Sequence, residues 1–164
     1  MTYDEYAPLI KNGDLISVCV AHGIMGKATQ FFTRSQYTHS GLAMWLGGEL
    51  FMAELNGGRN HLIPIIQLTD FDVHACPTEL TDVHGAIRKW LSYPVPYGFV
   101  AFVAIGLLNW LRIKYYVHWR RILVCSGYCV AIYETAGWQE HSRVISPGEL
   151  AALLKFKFSV RVKG

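Results

Sequence analysis

The sequence predicts an α+β fold in which an antiparallel sheet packs against a helix that opens on a cysteine. Three observations carry this. Residues 38–46 and 49–56 are apolar runs joined by Gly47-Gly48, and a glycine pair between such runs supplies the positive φ angles of a tight hairpin. Residues 81–92 and 124–136 space their apolar side chains as helices do. Near the C-terminus, Phe156, Phe158, Val160 and Val162 alternate with Lys155, Lys157, Arg161 and Lys163, the period of a strand with one wet face.

Composition bounds the answer further. The chain has 164 residues, which fits a single domain over 1–164 with a core of its own. At 52% apolar and 16% charged residues it is globular, not disordered. A net charge of +3 without a Lys/Arg run argues against nucleic acid as a partner. Four cysteines at 19, 76, 125 and 129 are too sparse for a secreted disulfide framework, so a reducing compartment is expected. The opening Met1-Thr2-Tyr3-Asp4-Glu5-Tyr6 is acidic and no secretory signal peptide, and synthesis in the cytoplasm is expected.

In chain order, residues 3–9 read as a short helix or loop, 11–14 as a turn and 15–20 as a buried strand. Residues 23–33 read as a short helix. The hairpin follows. With Gly47-Gly48 as its turn, Leu46 pairs with Glu49, and His39, Gly41, Glu54 and Asn56 fall on one side of the sheet. His39 faces Asn56 and is the diagonal neighbour of Glu54, within side-chain reach. Ala43, Trp45, Leu50 and Met52 make the other end of that face apolar. Residues 62–67 and 71–75 read as a third and fourth strand, and 81–92 as a helix with Val83, Ile87, Trp90 and Leu91 on one side.

No charged residue occurs from 91 to 111. Pro94 and Pro96 confine a helix to about 97–111, shorter than the roughly 20 residues of a membrane span. The expectation is a helix packed partly on the domain, whose apolar remainder makes peripheral membrane or lipid contact beside Trp110, Arg112 and Lys114. After the aromatic-basic stretch 115–121 comes the cysteine helix. Ser146, Pro147 and Glu149 then stand at N-cap, N1 and N3 of another helix running to 154.

The chemistry centres on Val124-Cys125-Ser126-Gly127. A thiol in the first turn of a helix gains from the partial positive charge there. A histidine beside it and a carboxylate behind the histidine complete an activated nucleophile. Against this stands the ordinary role of a free cysteine as a small buried hydrophobe. Cys125 with Cys129, and His74 with Cys76, offer metal donors, but their spacing matches no zinc signature, so neither metal nor cofactor is expected. Asp14, after Gly13, reads as a turn carboxylate, and His22, His61, His84, His118 and His141 have no identifiable partner.

An ordered set of short motifs goes further. Gly13-Asp14-Leu15-Ile16, Ser35-Gln36-Tyr37-Thr38-His39-Ser40-Gly41, Met52-Ala53-Glu54, Tyr93-Pro94-Val95-Pro96-Tyr97 and Val124-Cys125-Ser126-Gly127 resemble the permuted papain-fold cysteine peptidases, the NlpC-like group that includes the YiiX-like proteins. The resemblance spans about residues 10–155. It implies a circularly permuted papain-like fold with Cys125 as nucleophile, His39 as base and Glu54 as orienting group. Asn56, Tyr37, Tyr97 and Ser126 are then orienting or groove positions, and the reaction is cleavage of an amide in a peptide or peptidoglycan-type substrate. The chain departs from the group at Gly127, where Glu is frequent, and in its apolar 99–110 stretch. The same fold resembles lecithin–retinol acyltransferase, so a lipid-directed thiol acyltransferase or esterase is the alternative, although the Asn-Cys-Glu-His-Phe type motif is absent. A non-catalytic binding module on this fold is the other.

Overall fold

Leu15, Ile16, Leu42 and Phe71 are each fully buried, and they mark strands at the centre of the molecule. A computed structural model describes residues 1–20, 30–31, 35–94, 124–139 and 146–161. The expected helix at 23–33 falls almost wholly outside these residues, and Tyr97 and the 97–111 stretch fall entirely outside them.

Among the described residues there are four α-helices and one six-stranded sheet. Helix α1 spans Tyr3–Tyr6 and runs into a 3₁₀ turn at Ala7–Leu9. The strands are β1 (Leu15–Val18), β2 (His39–Leu46), β3 (Glu49–Asn56), β4 (Arg59–Pro64), β5 (Asp70–His74) and β6 (Phe156–Arg161). Helices α2 (Val83–Leu91), α3 (Cys125–Thr135) and α4 (Pro147–Leu153) complete the set. The sheet order is β4-β3-β2-β1-β5-β6, antiparallel throughout. The architecture is α+β.

The hairpin has the register that the glycine pair predicts: Leu46 pairs with Glu49 and Leu42 with Ala53, across Gly47 at φ 61° and Gly48 at φ 86°. A second glycine pair, Gly57 and Gly58 at φ 57° and 84°, closes a β3–β4 hairpin. The third strand therefore starts at Arg59, not near 62, and residues 65–67 form a 3₁₀ turn.

Side-chain alternation splits the core in two. Leu15, Leu42, Met44, Ala53 and Leu55 face α2, α3 and α4, where they meet Ile87, Tyr128, Ile132, Tyr133 and Leu150. Ile16, Ala43, Leu50, Met52 and Phe71 face the N-terminal segment, meeting Tyr6, Ala7 and Ile10. Buried bonds tie the layers together. The Tyr133 hydroxyl donates to the Gly13 carbonyl at 2.6 Å. Asp14 is buried and accepts from the Cys76 N–H at 2.9 Å and from Lys157 Nζ at 2.7 Å; it is a structural carboxylate whose partners are all internal. At α4, Ser146 and Glu149 cap each other reciprocally, as their spacing predicts.

Strand β6 lies at the sheet edge. Val160 is fully buried, but Phe156 is 53% exposed. That corrects the expectation of an inward Phe156. The β5–β6 register shifts between Val73 and His74, so Phe156 ends up beside His74 at the rim, its ring 5.7 Å from the imidazole. Among the described residues no helix is long and apolar enough to cross a membrane.

Candidate active site

The paired β2–β3 register ends at Leu42↔Ala53. Beyond it, strand ends carrying His39 and Glu54 come together through their side chains. Ala53 and Leu55 on either side of Glu54 bury under the helices, so alternation turns Glu54 off from that layer. It is nevertheless only 2% exposed, and its Oε2 lies 2.6 Å from His39 Nε2. Its other oxygen accepts from Asn56 Nδ2 at 3.4 Å. The entry to β2 is pinned by Thr38, whose N–H donates to the Val18 carbonyl at 2.8 Å and whose hydroxyl donates to the Val20 carbonyl at 2.9 Å.

Cys125 is the first residue of α3, after an extended Val124 that provides no side-chain cap. The uncapped first turn leaves its N–H groups and their partial positive charge facing the sulfur. The thiol is hydrogen-bonded to the His39 ring and takes backbone N–H bonds from Ser40 and Ser126. Since Nε2 is held by Glu54, the sulfur is met by Nδ1. Glu54, His39 and Cys125 thus form one hydrogen-bonded line from a buried carboxylate to a partly exposed thiol.

The electrostatics follow from that line. Burial disfavours the thiolate, but the His39 imidazolium and the Ser40 and Ser126 N–H groups outweigh it and bring Cys125 below the usual thiol range. Burial likewise disfavours the imidazolium, yet Cys125 on one side and Glu54 on the other lift His39 to about 10. Glu54 is held below the ordinary carboxylate range against its burial, chiefly by His39 and then by Asn56. The other cysteines go the opposite way: burial, with nearby carboxylates, pushes Cys19 up to about 11 and Cys76 up to about 12. Burial also pushes Cys129 well above the thiol range. Among the described cysteines only Cys125 is shifted toward the thiolate.

The remaining candidate positions divide. Asn56 bonds Glu54 rather than His39, which it faces in the expected register. Ser126 is fully buried, and its backbone N–H bonds the thiol. Tyr37 is engaged with β5: its hydroxyl donates to Asp72 Oδ2 at 2.7 Å and its ring meets His74 edge-on. Tyr97 lies outside the described residues. Sequence reasoning missed His61, which pairs across β3–β4 with Glu54; reading Gly57-Gly58 as a turn puts it there. It also missed the buried Asp72, which accepts from Tyr37, Ser159, Arg161 and Gln36. The alternation Asp70-Phe71-Asp72-Val73-His74 reads as a strand with one wet face, and nothing local announces that the Asp72 face is covered.

The fold is similar to that of the metalloprotein YiiX from Escherichia coli O157:H7. The two structures agree with a TM-score of 0.56 at 18% sequence identity, over 78% of this chain and 67% of that one. No family model and no curated protein matches the sequence.

Proposed function

We propose that this protein is a cysteine hydrolase with a permuted papain-like arrangement, in which Cys125 is the nucleophile, His39 the acid and base, and Glu54 the orienting group. The observation that carries the reading is the 2.6 Å bond from buried Glu54 to an imidazole whose other nitrogen meets the one thiol shifted down. The substrate class is an amide in a peptide or peptidoglycan-type chain.

The Cys125 thiolate adds to the carbonyl carbon, forming the C–S bond and placing negative charge on the carbonyl oxygen. The Cys125 N–H, at the first position of α3, is the donor available to that oxyanion. The His39 imidazolium gives its proton to the departing amine as the C–N bond breaks, leaving a thioester and a neutral imidazole. Water then attacks the thioester and His39 takes its proton. The C–S bond breaks, the carboxylic acid leaves, and the thiolate–imidazolium pair is restored. Glu54 stays ionised and fixes the ring.

The neighbour is described as a metalloprotein. In this chain no group of three or more His, Cys, Asp or Glu among the described residues is arranged to hold a metal ion. The triad donors lie in line along proton-bearing hydrogen bonds, not around a common point.

The test pairs reactivity with turnover. The protein should release free acid and amine from peptide or muropeptide amides, and Cys125→Ser should abolish release. Transfer of the acyl group to an added lipid or amine acceptor, with no release to water, would favour the acyltransferase. Cys125 labelling by iodoacetamide no faster than Cys19 or Cys76 would remove the enzyme reading.

A further inference from the structure

A polar row crosses the helix-side face of the sheet one residue in from the active-site end. Ser40 on β2 pairs with Ser17 on β1, Ser17 with Asp72 on β5, and Asp72 with Ser159 on β6. The row lies two positions from Leu42 and Leu15, which belong to the core beneath α3, so all four side chains share that face. Asp72 and Ser159 satisfy each other at 2.6 Å. Ser17 and Ser40 do not: both are 0% exposed, and neither hydroxyl has a hydrogen-bond partner among the described residues. Two unpaired buried hydroxyls on facing positions are unusual, because a buried donor without a partner is costly to keep. Facing side chains start only about 4.5–5.5 Å apart at Cβ, close enough for one water to bond both hydroxyls at once. Buried polar groups without a protein partner are commonly met by an ordered water.

We propose that Ser17 and Ser40 hold one buried water, and that this water is a fixed part of the thiol site. Ser40 supplies a backbone N–H to the Cys125 sulfur. Its side chain, tied through the water to Ser17, holds the first residues of β2 in place where pairing to β3 has ended. Ser17 is thus a positioning residue that acts through the water and Ser40. The inference rests on the Cys125–His39 pair as the reactive centre, but its readouts are folding stability and thiol titration. An intact protein that hydrolyses nothing would count against the proposed function and leave this untouched.

The experiment is a double-mutant cycle of Ser17→Ala and Ser40→Ala, with Tm and the pH midpoint of Cys125 alkylation by iodoacetamide as readouts. Each single change removes one side of the bridge and strands the other, so each lowers Tm by about 2–4 °C. The double variant lowers it no further than either single one, because the bridge is already gone. Both single variants move the alkylation midpoint upward, toward the free-thiol value of about 8.5. Single variants that raise or preserve Tm, effects that add, or an unmoved midpoint would overturn the proposal. A high-resolution crystal structure of the native protein gives an independent check. Solvent density within hydrogen-bond distance of both Oγ atoms is expected, and its absence refutes the bridge.

Discussion

Replacing His39 by Gln should move the Cys125 thiol, and the size of the move follows from the site. The native sulfur sits between the imidazolium and two backbone N–H donors in a buried setting. Gln retains a hydrogen-bond donor but removes the charge. A hydrogen bond to a charged group contributes about 1.5–3 kcal/mol, against about 1 kcal/mol for a neutral one. The loss of about 0.5–2 kcal/mol raises the thiol pKa by up to about 1.5 units, since one unit is 1.36 kcal/mol. Below its pKa a thiol ionises tenfold less for each unit gained, so labelling at pH 7 should fall by up to about 30-fold. Cys19 and Cys76 act as internal references: raised to about 11 and about 12, they are ionised at pH 7 in only about one molecule in 10⁴ and 10⁵. Peptide-resolved mass spectrometry after timed iodoacetamide exposure from pH 5 to 10 measures all three. A His39→Gln protein whose Cys125 keeps the native profile would refute the ion-pair reasoning, because the imidazolium would then do nothing to the sulfur.

Three further outcomes are expected. Glu54→Gln removes the carboxylate that stabilises the imidazolium, so the His39 titration midpoint, followed by ring-proton NMR, should drop from about 10 by about one unit; an unchanged midpoint rules out Glu54 as the orienting charge. Burial holds His74 below the usual histidine range. Its contribution to stability is therefore present above an unfolded value of about 6.5 and lost as pH falls through it. Asp72 is held below the carboxylate range, against its burial, by Ser159, Tyr37 and Arg161, and its contribution is lost only below about pH 4. Tm should decline in acid in those two stages, and His74→Phe should remove the first; a first stage that persists in the variant would assign it elsewhere. Gly41→Ala places a methyl 2.5 Å from Met52 Cγ and 2.8 Å from the Ala53 carbonyl, which should cost about 1–3 kcal/mol of stability by denaturant melt; a neutral result would mean that the strand end yields freely.

The parts of the fold legible in sequence are those fixed by local rules. Gly47-Gly48 sets the β2–β3 register because both turn positions take positive φ, and that register puts His39 and Glu54 on one face. The caps at Ser146 and Glu149 are equally local. Strand β4 was harder to place because Arg59, Asn60 and His61 give it a polar start at an edge, where burial does not enforce alternation. Phe156 misled because alternation assigns a face but not whether anything covers it, and the shift at Val73/His74 moves the end of β6 to the rim. The line from Glu54 to Cys125 needs α3 to arrive over β2 from far along the chain. Only the ordered set of motifs, as a resemblance, anticipates that meeting.

The distance along the chain between the two halves of the thiol site also sets when the sulfur becomes reactive. Glu54 and His39 belong to neighbouring strands and can approach as soon as their hairpin closes, whereas Cys125 reaches them only once α3 docks. Hairpins close in microseconds, while contacts between distant parts of the chain form late in folding. A partly folded chain therefore carries four cysteines near the ordinary thiol value, none of them a strong nucleophile. Alkylation of Cys125 at neutral pH is then a marker of the finished molecule, and its appearance during refolding times the docking of one helix against the sheet.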